Sequence, residues 1–304
     1  MKGWKSNRNE MLTWTTMVLC ASWIGYCRGS YDCGVCLCDG PTASKTLTSC
    51  AGNEQLKYLF GLNLIAIDQT AFQSSTGTLT LTLTSNQISK IPHDVFDNLK
   101  GLTSLWLSQN HISQLPDHVF DSLTSLGILS LDQNRLISLP HNIFGNLTNL
   151  QLLSLSHNRL TSLSVDVFAN VKSLETLSLF HNKLTRLSAK IFDSLVNLKR
   201  LQLQSNQLTI LPPSALEKLV NLILLDIRYN NLSDYRLCGL YPRRHIMTAK
   251  LDTGKYPLHH LNESFCSKSC SQAPKPVCEG FTFCIGALYN YTCNFNTCPS
   301  IPSI

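Results

Sequence analysis

The side chains in this sequence that stand out are suited to contact more than to catalysis. Trp106, Phe180 and Arg228, with Tyr229 beside the last, are the residue types that dominate binding energy when a partner desolvates them. They share a register with Ser108, Ser130, Asp132, Ser154, Ser156, Ser178, Gln202, Gln204 and Asp226, all at positions that short strands turn to one side. Small hydroxyls set among a few aromatic and charged groups make a surface for recognising another molecule. Catalysis finds less support, because no H-E-x-x-H, G-x-S-x-G or phosphate-loop motif occurs. His259 and His260 near Glu263 do not make the zinc spacing. His157 and His181 read as solvated loop residues in adjacent turns, with no carboxylate partner. A non-enzyme without cofactor or metal is expected.

These positions are defined by a repeat. Asparagine recurs every 24 residues at Asn86, Asn110, Asn134, Asn158, Asn182, Asn206 and Asn230. Five residues before each stands a leucine, and three before it a second leucine or, once, an isoleucine: Leu81/Leu83 opens the series and Leu225/Ile227 closes it. Alternation around each pair predicts a strand whose two large apolar residues point inward. One such strand cannot bury its leucines alone, but stacked turns can, as a parallel sheet along a curved solenoid. Where the chain leaves the strand, the asparagine amide offers both a donor and an acceptor to the interior backbone.

A second ladder follows in register: Phe72, Phe96, Phe120, Phe144, Phe168 and Phe192, with Leu216 next. It predicts a spine filling the convex half of the core. Pro92, Pro116, Pro140 and Pro212 predict extended return segments in place of long helices. The L-x-L-x-x-N pattern resembles the core of a leucine-rich repeat. The implied fold is an α/β-type solenoid, a horseshoe with a parallel β-sheet on its concave face and disulfide-stapled caps.

On seven strands, from Thr80 to Arg228, the outward positions form a bed about 29 Å wide at the usual strand spacing. One partner fills a bed of that size. Upstream, residues 51–77 read as a degenerate turn merging into a cap: Leu64, Ile67 and Phe72 hold register, but Leu62 stands where asparagine belongs.

The flanks point to secretion. Lys2, Lys5 and Arg8 precede an apolar stretch from Met11 to Gly25, and Cys27 and Gly29 suit a cut. A signal peptide over residues 1–29 is expected, an uncleaved anchor being the other reading. Its removal lowers the net charge from +6 to +3, with 21 basic against 18 acidic residues left, too mild to argue for nucleic acid. Eleven of 13 cysteines lie beyond residue 29 and avoid the repeats, as expected where small end covers need staples. Cys33, Cys36, Cys38 and Cys50 fall in a cap over residues 30–54, ahead of repeats over 55–230. Cys238, Cys266, Cys270 and Cys278 follow, in a C-terminal cap over 231–270 and a cysteine-containing tail over 271–304. With Cys284, Cys293 and Cys298 there are seven after the array, an odd number that leaves one cysteine for a disulfide-linked oligomer. A zinc site at the four N-terminal cysteines is the competing reading. Sequons at Asn146, Asn231, Asn262 and Asn290 predict glycosylation, with Asn146 on the convex side. No apolar tail closes the chain, so neither a membrane span nor a lipid anchor is expected.

The spacing Cys33-x2-Cys36-x-Cys38-x11-Cys50 resembles the N-terminal cap of extracellular leucine-rich repeat proteins, which implies bridges Cys33–Cys38 and Cys36–Cys50. Together with the 24-residue turns and F-x-x-L segments (Phe96 to Leu99, Phe120 to Leu123, Phe144 to Leu147), it resembles the variable lymphocyte receptors of jawless vertebrates. That resemblance implies antigen recognition by the outward strand residues, on an extracellular protein or glycan. The C-terminal cap departs from the family: Asn230 is followed by Asn-Leu-Ser-Asp and a single nearby Cys238, and no threonine- and proline-rich stalk follows. A secreted, divergent relative is expected. The alternative is a matrix or regulatory protein holding one fixed partner.

Overall fold

The computed structural model describes residues 31–32, 36–40, 44–50 and 55–232. The expected signal peptide, Cys33, the four cysteines from Cys238 to Cys278, and Asn262 and Asn290 lie outside the described residues, as does the C-terminal cap beyond residue 232.

The leucine pairs form the predicted short strands. They are β6 (Thr80–Thr82), β7 (Ser104–Trp106), β8 (Ile128–Ser130), β9 (Leu152–Ser154), β10 (Thr176–Ser178), β11 (Arg200–Gln202) and β12 (Leu224–Asp226). Each pairs in parallel with the next at a register of 24 residues. Every inward leucine from Leu81 to Leu225 is fully buried, a contribution of about 1.5–3 kcal/mol each.

The sheet has one strand more than the seven expected. β4 (Leu56–Tyr58) pairs with β6, setting Leu56, Lys57 and Tyr58 opposite Thr80, Leu81 and Thr82. Its turn lacks two markers of the pattern. Lys57, 2% exposed, occupies the first leucine position, and Leu62 the asparagine position. The backbone path is the same: Leu59 N–H donates to the Thr82 carbonyl (2.7 Å) and Gly61 N–H to that of Thr84 (3.1 Å). Gly61 has φ +66°, and Ser85, Gln109, Gln133, His157, His181, Ser205 and Tyr229 adopt the same left-handed conformation before their asparagines, at φ from 51° to 57°.

Each asparagine ties two turns together. Asn134 Oδ1 accepts from Ile112 N–H (3.0 Å), while its Nδ2 donates to the carbonyls of Leu107 (2.9 Å), Leu131 (3.1 Å) and Asp132 (3.2 Å). The same set recurs at Asn110 and Asn158. On the convex side the phenylalanines are fully buried and stack, Phe72 on Phe96 and Phe96 on Phe120 at 6.2 Å, Phe144 on Phe168 at 6.3 Å and Phe168 on Phe192 at 6.2 Å. The return segments are turns; the helix among the described residues is a single 3-10 turn, Pro213–Leu216.

A second polar ladder on the convex side had no counterpart in the sequence reading. Asn149, Ser173, Asn197 and Asn221 donate to the carbonyls of Thr124, Thr148, Lys172 and Val196, each 25 residues back, at 2.8–3.0 Å. Its residues do recur every 24 positions, but as a mixture of asparagine and serine.

The N-terminal cap is a second sheet. β1 (Tyr31–Asp32) and β2 (Cys36–Asp39) pair antiparallel, β2 pairs antiparallel with β3 (Lys45–Cys50), and β3 runs parallel to β5 (Leu64–Ile67). A disulfide joins Cys36 to Cys50, and Cys38 is buried. Cys50 N–H donates to the Ala71 carbonyl (2.6 Å) and Ser75 Oγ to that of Cys50 (2.7 Å), so the degenerate first turn merges into the cap.

Candidate ligand-binding face

The outward side chains of the sheet lie on one concave surface in three columns. With β4 added, Leu56, Tyr58 and Phe60 head those columns, 51%, 42% and 46% exposed. Sequence reasoning missed this row because Lys57 and Leu62 hide the repeat; alternation extended one further period upstream would have found it. Eight strands widen the bed to about 34 Å.

Exposure divides the expected contact residues. Trp106, Asp132, Ser154, Phe180, Gln202, Gln204 and Arg228 are part-exposed, whereas Ser108, Ser130, Ser156, Ser178 and Asp226 are buried. The outward positions thus share one face and differ in accessibility. At a spacing near 4.8 Å a serine sits below its longer neighbours, and its hydroxyl is engaged within the sheet. Ser108 Oγ lies 3.1 Å from Thr84 Oγ1, Ser156 Oγ 3.3 Å from Ser154 Oγ, and Ser178 Oγ donates to Gln202 Oε1 at 2.5 Å. Ser130 Oγ donates to Asp132 Oδ1. These serines form the floor of the face, and the longer side chains are left to meet a partner.

The expected charged end is largely self-paired. Arg228 Nε donates to Asp226 Oδ1 at 2.8 Å and its Nη2 to Oδ2 at 2.6 Å, a two-point contact of the geometry that suits guanidinium and carboxylate. Arg200, on the neighbouring strand, is exposed.

Phe180 belongs to an aromatic group at the edge of the face. Its ring meets His157 edge-on at 5.0 Å and His181 at 5.7 Å, and the two imidazoles stack at 4.4 Å. The left-handed backbone at residues 157 and 181 turns both side chains to the same edge. Burial holds the His157 pKa below its ordinary value, the nearby His181 lowers it further, and Asp132 acts in the opposite direction. The histidines are exposed loop residues, as expected, and they form a stacked pair that Asp132 influences electrostatically. No cluster of three or more metal-ligating side chains occurs among the described residues.

The asparagines of two sequons lie among the described residues, and both are exposed. Asn146 is exposed on the convex side, where Nδ2 donates to the Asp121 carbonyl (3.2 Å). Asn231 is exposed at the end of the last turn, its N–H donating to the Leu208 carbonyl (2.9 Å).

The leucine rich repeat family profile matches residues 61–112, 77–136, 124–184 and 172–232, more than half of the chain. The chain is a leucine-rich repeat protein. No curated protein matches it. Among solved structures, this leucine-rich repeat protein is similar to the TLR13–ssRNA13 complex, with 31% identity and a TM-score of 0.53 over 61% of this chain and 27% of that one. It also matches the Drosophila Toll–Spätzle complex, with 25% identity and a TM-score of 0.48 over 62% of this chain and 30% of that one. The leucine-rich repeat protein thus spans less than a third of either neighbour. No helix among its described residues is long and apolar enough to cross a membrane.

Proposed function

We propose that the protein is a secreted recognition molecule that binds an extracellular protein or glycan on the concave face of its repeats, in immune-type recognition of the variable lymphocyte receptor kind. The observation that carries this reading is internal to the chain. Its turns share one interior, with leucine, asparagine and phenylalanine recurring at fixed positions, while the outward column at the end of each strand differs from one turn to the next: Phe60, Thr84, Ser108, Asp132, Ser156, Phe180, Gln204, Arg228. Packing dictates the first set and leaves the second free to suit a ligand. The likeness to TLR13, solved with a single-stranded RNA, supports ligand binding as the use of the fold. No outward position of β4, β6 or β7 carries a basic residue, which favours an uncharged or protein ligand over nucleic acid at that end.

The test is affinity capture with the full chain as bait, followed by the double substitution Trp106→Ala and Phe180→Ala. Trp106 and Phe180 are part-exposed aromatics of the type that anchors interfaces, each worth 2 kcal/mol or more, roughly thirtyfold, where central. Loss of the captured partner with an unchanged melting temperature supports the reading. Retention of the partner by a folded double variant overturns it. Sequencing transcripts over residues 80–228 from single cells then separates the two biological uses. Outward residues that differ between cells indicate diversified recognition, and an unchanging face indicates a matrix or regulatory protein with one fixed partner.

A further inference from the structure

The middle column of the concave face opens with Tyr58, Thr82 and Trp106, paired residue against residue across β4, β6 and β7. At about 4.8 Å per strand, the two aromatic residues stand roughly 9.6 Å apart with one threonine between them. With both side chains standing upright from the sheet, a ring seated midway would lie about 4.8 Å from each, within stacking reach. Beneath that position Thr82 is 1% exposed, and its Oγ1 has no hydrogen-bond partner. A desolvated, unsatisfied hydroxyl gains from any ligand group able to bond with it.

The surroundings discriminate among rings. The outward positions of these three strands carry no charge, the first being Asp132 one turn further on. A phosphate-linked base brings negative charge with no cation there to meet it. An aromatic side chain from a protein partner leaves the hydroxyls of Thr80, Thr84 and Ser104 without use. A neutral sugar ring engages both kinds of group, its C–H face against the aromatic rings and its hydroxyl edge against the threonines and serine.

We propose that the N-terminal third of the concave face is a subsite for a neutral saccharide, one pyranose ring held between Tyr58 and Trp106 with a ring hydroxyl bonded to Thr82 Oγ1. The proposal rests on the reading of the concave face as the ligand-binding face and adds the ligand class. Seating the sugar requires the two aromatic side chains to rotate apart, a picosecond-to-nanosecond motion for exposed groups.

The experiment presents the full chain to an array of neutral oligosaccharides of hexoses, deoxyhexoses and N-acetylhexosamines, beside sialylated and sulfated glycans and a single-stranded oligonucleotide. Bound glycans are then titrated calorimetrically against Tyr58→Ala, Trp106→Ala and Thr82→Val, with the convex-side Asn146→Gln as the control. The expected result is binding confined to neutral glycans, weakened about 2- to 13-fold for each ring removed, weakened also by Thr82→Val, and unchanged by Asn146→Gln. Absence of neutral-glycan binding at about 10 mM, preference for the charged glycans or the oligonucleotide, or equal affinity in folded Tyr58→Ala and Trp106→Ala proteins overturns the proposal. If glycans fail while the captured partner is still lost with Trp106→Ala and Phe180→Ala, the saccharide subsite alone is wrong. If neither ligand responds to these substitutions, the concave-face reading fails with it.

Discussion

Replacing Asn134 by alanine tests the asparagine ladder at a point where the damage can be worked out bond by bond. The side chain is 7% exposed and makes four contacts. Three of its partners keep another donor: the Leu107 carbonyl retains Asn110 Nδ2 (3.2 Å), that of Leu131 retains Asn158 Nδ2 (2.9 Å), and that of Asp132 retains Gln109 N–H (3.0 Å). Ile112 N–H has only Asn134 Oδ1 and is orphaned in a buried setting, at a cost of about 1–3 kcal/mol. Loss of the donor bonds adds about 1 kcal/mol or more, for a total near 3 kcal/mol. Asn134→Asp keeps the acceptor for Ile112 but turns a carboxylate oxygen toward three carbonyls, so it is expected to cost at least as much at neutral pH. Urea denaturation gives the stability change, and amide hydrogen exchange gives its location. Ile112 should lose protection, while Leu184, bonded to Asn206 Oδ1 (3.0 Å), keeps its own because turns contact only their neighbours. A loss below about 1 kcal/mol, with Ile112 still protected, refutes the reasoning.

Phe168→Ala removes a fully buried ring lying between Phe144 and Phe192, and chemical denaturation should register a loss of about 3–5 kcal/mol. Substituting Cys36 and Cys50 together by serine opens a link of sequence separation 14. It is expected to destabilise the cap by about 3 kcal/mol, visible as early proteolysis of the N-terminal end in the reduced or substituted protein. Because the folded-state pKa of His157 is depressed, the unfolded chain binds more protons below its ordinary value near 6.5. Its effect on stability is absent above that pH and grows unfavourable as pH falls toward the folded pKa. His157→Gln should flatten this slope in pH-dependent melting, and NMR titration of the His157 ring should give a midpoint below the unfolded value.

The interior was legible because a solenoid repeats its constraints. Leucine, asparagine and phenylalanine recur at period 24, since each turn solves the same packing and hydrogen-bonding problem. β4 escaped because that signal fades at the end of the array. Lys57 and Leu62 replace two marker residues there, yet the strand still forms by pairing with β6. The outward face was legible in register but not in accessibility. Whether Ser130 or Ser178 is exposed depends on side chains one strand away, which alternation along a single strand does not encode. The stack of His157 on His181 was hidden for a similar reason, since it requires the left-handed backbone that both residues adopt. The convex ladder of Asn149, Ser173, Asn197 and Asn221 lay within reach of a search by donor chemistry instead of by residue identity.

The most direct test of the concave face as the binding face is to block it. Ser154→Asn places a sequon with Leu155 and Ser156 in the middle of the sheet, and expression through a secretory pathway attaches a bulky glycan there. The partner captured by the natural protein should be lost while folding, judged by melting and by Ile112 protection, is retained. Asn146→Gln, which removes the convex sequon, should leave binding unchanged. Undiminished capture by a protein shown by mass to carry the glycan at residue 154 contradicts the account.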